Sequence, residues 1–425
     1  MEKLPRNCLL FMISILLSWA AMAEPLRVIQ GIDIQGVERT KDRTVLRELP
    51  FAVGSVWQDG FAARAERRLR SLGIFSEAVV AAPDGTGKVR IRVKERWSLW
   101  ILPQASRADN GATSGSIVVD EYNLWGLNHH ARLAYKRDTG KNFSDLSGVS
   151  YGAGYDWRRV ADSKLGVSVN GSWGRSLFDA YEQGAQIAQY MQTGKSASII
   201  FTYALNDVPG EGMGISAGFT GSNSLYRFLS GTPQADVVSN RIRALQAGVS
   251  YNMIDDRITW ISGSAFAYSL SIAHKGLGST VNTYSHTGSW RNYYAFSGQN
   301  TVNLRLTGGL MTGDVQRSGL FDIGSRNALR GYYPGELQGT HFLYGTIEGR
   351  FPIKTDSNFQ LVTFTDIGKI GGRVGSSVTR GLAVGAGGGF RWTMRWLVNG
   401  TIRGDVAYGL SSKRWRFYMG TGQAF

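Results

Sequence analysis

Along most of this chain apolar and polar residues alternate with a period of two. Leu165, Val167, Val169, Gly171 and Trp173 share one face of an extended segment, and Gly166, Ser168, Asn170, Ser172 and Gly174 share the other. Val302, Leu304 and Leu306 against Asn303, Arg305 and Thr307 repeat the pattern, as do Ala131, Leu133 and Tyr135 against Arg132, Ala134 and Lys136. Such alternation sends successive side chains to opposite faces of a strand. From Trp97 onward there are roughly 16 such segments of about ten residues, each with an apolar face, a polar or small face and aromatic ends. A soluble sandwich shares the period. The uninterrupted series favours closure into a barrel, with lipid outside and a polar lumen inside, because lipid tolerates no unpaired strand edge. The expected fold class is mainly β: a roughly 16-stranded transmembrane β-barrel over 97–425, preceded by one small α+β domain over 24–96.

That small domain changes period along its length. Ile32 and Ile34 alternate with Asp33 and Gln35 as a strand that Gly36 ends. Thr40 is placed to cap a helix whose apolar face is Val45, Leu46 and Leu49, with Gly54 closing the turn beyond it. Phe61, Ala65, Leu69 and Leu72 recur at helical spacing after Asp59, with Gly73 in the stop position. Phe75 to Ala81 reads as a strand, and Val89, Ile91 and Val93 alternate with Arg90, Arg92 and Lys94 in another. The predicted order is strand, helix, helix, strand, strand. Arg64, Arg67, Arg68 and Arg70 fall on the polar side of the second helix, as a solvated face or as a surface drawn to anionic headgroups.

Composition narrows the setting. Lys3 and Arg6 precede an apolar run from Leu9 to Trp19, and Ala21-Met22-Ala23 fits a small-x-small cleavage site. Residues 1–23 are therefore expected to be a secretory signal, after which the domain over 24–96 begins directly, with no passenger enzyme between. The single cysteine, Cys8, lies ahead of that apolar run, which leaves no expected disulfide. No later stretch has the roughly 18 uninterrupted apolar residues of a membrane helix. The 55 glycines against 9 prolines suit many strands with tight turns. A net charge of +15 on an exported chain fits anionic headgroups or an acidic client, and export takes it away from nucleic acid.

Candidate chemistry is sparse. Gly385-Ala386-Gly387-Gly388-Gly389-Phe390-Arg391-Trp392 is glycine-rich but alternates as a strand, without the helix a phosphate cradle needs. Gly148-Val149-Ser150-Tyr151-Gly152 has hydrolase-elbow spacing in another alternating stretch. Adjacent His129 and His130 point to opposite faces of a strand, which makes them poor co-ligands. No catalytic cluster, metal site or cofactor is expected.

Between about Met311 and Thr340 the alternation fails, and Asn327-Ala328-Leu329-Arg330-Gly331-Tyr332-Tyr333-Pro334-Gly335 sets one arginine between turn-forming residues. Read alone, Arg330 belongs to a surface loop. The N-terminal order, with its Gly36-Val37-x-x-Thr40 turn, its Leu72-Gly73-Ile74-Phe75 corner and its Val93-Lys94-Glu95 close, resembles a POTRA domain. The Arg-Gly-Tyr loop is followed by Glu348-Gly349-Arg350-Phe351-Pro352 and by Phe364-Thr365-Asp366-Ile367-Gly368. These two strands resemble the acidic-x-Arg-Phe-Pro and Phe-x-Asp-x-Gly strands of the POTRA-plus-barrel superfamily of outer-membrane assembly and secretion transporters, the BamA-, TamA- and FhaC-like proteins. The stretch ending in Arg391 is similar to that family's glycine-rich strand, and the stretch from Trp415 through Phe417 to Phe425 is similar to the terminal strand that barrel-assembly machinery reads.

The resemblance implies that the loop folds into the barrel and that Arg330, followed by Gly331 and Tyr332, latches onto Asp366. Glu348 is the rival partner, with Arg350, Phe364 and Gly368 around it. It also implies an outer-membrane protein with its POTRA-like domain in the periplasm, acting on unfolded client polypeptide among outer-membrane lipid and accessory periplasmic proteins, with no covalent step. The strands near 97–104 and 414–425 are expected to meet as the closing seam. A passive porin shares the barrel, and an outer-membrane enzyme would need a residue cluster at its mouth that the sequence does not display.

Overall fold

The computed structural model of the chain describes residues 27–107, 113–139, 148–182, 185–206, 208–297, 299–374, 377–378 and 381–421. The expected signal over 1–23 and the terminal Phe425 lie outside these residues.

In the N-terminal domain, β1 (Gly31–Gln35), α1 (Asp42–Leu46), α2 (Phe61–Ser71), β2 (Phe75–Val80) and β3 (Lys88–Glu95) follow in that order. β3 is central, parallel to β1 and antiparallel to β2, so β2 lies at a sheet edge. Val89, Ile91 and Val93 turn from β3 into a core with Ala65, Leu69 and Phe75, while their arginine and lysine neighbours stay outside. Two details differ from the pattern in the sequence. The residue preceding α1 is Lys41, without a side-chain cap. The Thr40 hydroxyl instead accepts from Asn123 Nδ2 at 2.9 Å, because the loop before the helix is packed against a turn of the larger domain. Leu46 is exposed; α1 buries Val45 in the domain's own core and Thr44 against the larger domain, where its hydroxyl donates to the Gly126 carbonyl, with Glu48 just beyond.

Among the described residues, sixteen long antiparallel strands from Leu99 onward close into a barrel. These are β4 (Leu99–Arg107), β5 (Thr113–Leu124), β6 (His129–Thr139), β7 (Gly148–Trp157), β8 (Leu165–Glu182), β9 (Ala185–Ala204), β10 (Gly212–Gly231) and β11 (Asn240–Asn252), then β12 (Ile261–Ala273), β13 (Thr283–Phe296), β14 (Asn300–Gly313), β15 (His341–Pro352), β16 (Phe359–Gly371), β17 (Leu382–Thr393), β18 (Thr401–Gly409) and β19 (Arg414–Thr421). β19 neighbours β4 and completes the circle. Leu133, Ile199, Leu343, Leu361 and Phe417 are exposed on the outer wall, whereas Thr301, Asn303, Glu348, Gln360 and Asp366 are buried inside it. Apolar-out, polar-in alternation is what lipid on one side and a lumen on the other select.

β8, β9 and β10 run for 18, 20 and 20 residues, about twice the length that crosses a bilayer. Their excess lies at the end of the barrel away from the N-terminal domain, where the ladder goes on satisfying backbone groups. There Phe178, Ala188, Tyr190 and Tyr226 pack together. The Gly148 to Gly152 run lies within β7, so the local geometry is a strand and not a nucleophile elbow.

Candidate functional site

The connection between β14 and β15 is long enough to turn back into the lumen. A two-residue ladder pairs Phe321–Asp322 with Gln338–Gly339 and closes a smaller loop within it. Ile323, Leu329, Tyr332 and Leu337 of that loop bury against Tyr344, Ile370 and Ala383 of the barrel wall. This apolar base carries the loop tip down onto the inner faces of β15 to β19.

At the tip Arg330 is only 1 % exposed. Its Nε and Nη2 donate to the two Asp366 oxygens at 2.8 and 2.9 Å, a planar fork, and its backbone N–H adds a third bond to Asp366 at 3.0 Å. The remaining terminal nitrogen, Nη1, donates to Glu348 at 2.9 Å and stands 3.6 Å from Asp405. The two carboxylates that the sequence set up as rivals thus share one guanidinium, with Asp366 holding the larger part of it. The face of Phe364 lies 3.3 Å under the same group, a cation–π contact inside the barrel.

Other charges complete the cluster. Arg350 donates to Glu348 at 2.8 Å, and Arg391 bridges Glu348 at 3.1 Å and Asp405 at 2.6 Å. Three arginines therefore face three carboxylates, all buried, which is the condition under which such charges are tolerated away from water. No local pattern in the sequence marks Asp405, and Arg391 stands out there only as the end of a glycine-rich strand. Arg403, opposite Arg391 in the ladder, donates to the Arg326 carbonyl and to Asn327 Oδ1, which ties it to the same loop.

Glycine decides how closely the tip approaches. Gly331 has φ +96°, and a Cβ there would stand 2.7 Å from the Gly409 nitrogen. A Cβ at Gly385 would collide with the Arg330 carbonyl, so the glycine-rich strand makes room for the loop rather than for a phosphate. Gly368 leaves the space that the Leu329 side chain fills. The Tyr332 hydroxyl donates to the Val384 carbonyl at 2.9 Å and accepts from the Val384 N–H at 3.0 Å. Two further contacts reach β19: Arg326 donates to the Met419 carbonyl at 3.1 Å, and Arg416 lies over the Tyr333 ring. Phe417, one residue before Tyr418, points outward and is exposed.

A second cluster joins the N-terminal domain to the near end of the barrel. Arg67 and Arg68 of α2 both bond Glu211 in the turn before β10, Arg68 at 2.9 Å, and Arg70 bonds Asp255 at 3.1 Å. Arg43 and Arg47 bond Asp162 between β7 and β8, at 2.8 and 3.0 Å. Glu48, fully buried, pairs with Arg159 at 3.1 Å. The arginine run of α2 is therefore neither a solvated face nor a headgroup surface, except at exposed Arg64: the barrel turns present carboxylates to it. Burial alone would raise the Glu211 carboxyl, but the bonds from Arg68 and Arg67 hold it below its ordinary range. Behind β3, Arg96 donates to the carbonyls of Gly73 and Arg395, and Trp97 bonds the turn between β17 and β18. His129 and His130 diverge as expected of strand neighbours, with His130 held between Asp120 and Asp156 at 2.9 Å each.

Comparison with known proteins places the chain in a family. A family model described as the Omp85 superfamily domain matches residues 123–425, and a POTRA family model described as a surface antigen variable number repeat matches residues 28–96. The chain is 22% identical over 413 residues to the outer membrane protein assembly factor BamA of Neorickettsia risticii (strain Illinois), covering 90% of this chain and 52% of that protein. It thus spans about half the length of that curated relative. Among solved structures it resembles BamA of Haemophilus ducreyi lacking POTRA domains 1–3, with TM-score 0.55, 13% identity and coverage of 93% and 84%. It also resembles CdiB of Escherichia coli, with TM-score 0.63, 12% identity and coverage of 93% and 74%. CdiB of Acinetobacter baumannii gives TM-score 0.59 and 16% identity over 93% of this chain and 73% of the other.

Proposed function

Since this chain belongs to the Omp85 superfamily, we propose that it moves client polypeptide out of the periplasm, inserting β-barrel proteins into the outer membrane or exporting polypeptide across it, with no covalent step. The barrel lies in the outer membrane and the POTRA domain in the periplasm. In this reading residues 24–96 form the periplasmic module and 97–425 the barrel. One observation carries it: the lumen holds a loop latched by a buried six-charge cluster and bonded to the terminal strand, beside the β19–β4 seam. A passive porin has no use for such a latch, whereas a machine that opens a seam or a lumen on demand needs a defined closed state.

The N-terminal domain adds to this reading. The edge of β2, apart from the Val80 N–H that donates to Glu66 at 3.0 Å, offers backbone groups for a client strand, a mode that tolerates many sequences. The ion pairs of α2 hold that edge at the periplasmic end of the barrel. Outer-membrane lipid and accessory periplasmic proteins are the other partners we assign. The test is depletion of the protein followed by comparison of the outer-membrane and secreted proteomes. Loss of barrels marks assembly and loss of one large exported protein marks secretion, while an unchanged proteome defeats the proposal.

A further inference from the structure

The outer wall over β8 to β11 carries a step that neither the latch nor the seam uses. Val169, Ile199, Phe219 and Leu245 stand side by side in register as an apolar ledge. Two residues further from the periplasm the row is Gly171, Ala197, Gly221 and Arg243, and two further it is Trp173, Lys195, Asn223 and Arg241. Ala197 and Gly221 recess the wall between Val169, Ile199 and Phe219 below and Lys195 and Asn223 above, forming a groove of about 440 Å³ that Arg243 also lines. Arg243 lies flat across it, its Cδ 3.5 Å from where a Gly221 Cβ would stand, with Nη1 fixed on the Ser222 and Ile242 carbonyls. Lys195 and Arg241 are exposed above. No Asp or Glu occurs anywhere in β9, β10 or β11, so this cationic row faces no carboxylate from its own strands.

Height in the membrane fixes what meets the row. Tyr203 is exposed at the periplasmic end of β9. From Tyr203 to Lys195 the strand runs about 27 Å at roughly 3.4 Å per residue, or about 20 Å of height at a tilt near 40°. That is close to the depth of the apolar band of an outer-membrane barrel, so Lys195 lies at the headgroups of the outer leaflet, with Arg241 and Trp173 in the same ladder row. We propose that this groove binds a phosphorylated acyl lipid of the outer leaflet, one acyl chain lying along Ala197 and Gly221 and the phosphate meeting Lys195 and Arg243 of the groove and Arg241 at its rim. The inference rests on the membrane placement of the barrel and is independent of which client it handles.

The test uses the full-length protein in phosphatidylethanolamine nanodiscs, with bisphosphorylated lipid A or the same lipid stripped of phosphate added, and reads retained lipid by native mass spectrometry. The expected result is at least a ten-fold preference for the phosphorylated lipid. Lys195→Glu with Arg241→Glu abolishes that preference, and the milder Lys195→Gln with Arg241→Gln reduces it. Gly221→Leu, which fills the groove and presses on the Arg243 side chain while leaving Lys195 and Arg241 in place, lowers retention at least five-fold. Equal retention of the two lipids, a preference that survives charge reversal, or wild-type retention by Gly221→Leu would overturn the proposal.

Discussion

The Tyr418 hydroxyl of β19 accepts the Gly331 N–H at 2.9 Å and donates to the Tyr332 carbonyl at 3.3 Å. A single phenol thereby joins the residue after the latch arginine to the strand that closes the barrel against β4. The loop is thus hydrogen-bonded to a seam strand, and disturbing either is expected to register in the other.

Tyr418→Phe removes both bonds and leaves the Gly331 N–H unpaired in a buried place, which costs about 1–3 kcal/mol. We expect the barrel to fold but to lose its heat-resistant gel mobility at a lower temperature than wild type.

The geometry ranks the partners of Arg330. Asp366 receives three bonds from that residue, whereas Asp405 stands 3.6 Å away. In double-mutant cycles on unfolding, the Arg330/Asp366 coupling should reach about 2–3 kcal/mol and the Arg330/Asp405 coupling should stay below about 1 kcal/mol. Equal couplings would mean that the fork does not dominate.

How much of this was legible depended on range. Period two sufficed for the strands, because alternation is local, and the turn residues around Arg330 marked the loop. The resemblance to a known family supplied Asp366 and Glu348. Asp405 escaped because its role depends on the register that sets β18 beside β17, which no local pattern encodes. The arginines of α2 look like a solvated or lipid-facing surface in the sequence for the same reason: Glu211 and Asp255 lie far along the chain and arrive only when the barrel closes. Thr40 had the right chemistry for a cap, but Asn123 competes for it.

Acid should loosen the POTRA domain from the barrel. Glu211 titrates below its ordinary value of 4.5, so its pair with Arg67 and Arg68 contributes fully above about pH 4.5 and fades as pH falls through the lowered native value. Spin labels on the POTRA domain and on a periplasmic turn should hold one distance from pH 8 to pH 5 and broaden only as pH falls beneath the ordinary carboxyl value of 4.5. Glu211→Lys should show the broad distribution already at pH 7.

Gly385→Ala should be worse than Gly388→Ala on the same strand. The first sets a Cβ against the Arg330 carbonyl, the second leaves 3.2 Å to the Val362 carbonyl. We expect Gly385→Ala to displace the loop and raise channel conductance in planar bilayers, where the wild type should conduct little.

The most direct measurement is complementation of a depleted strain by Arg330→Ala, with barrel folding checked by heat-modified mobility. Removing the guanidinium strands buried carboxylates at a cost of about 3–5 kcal/mol, within reach of a barrel whose other contacts persist. The latch account predicts a folded barrel at normal abundance that fails to restore growth or export, with Arg330→Lys restoring at most a fraction, since lysine keeps the charge without the fork. Full activity of folded Arg330→Ala would contradict it.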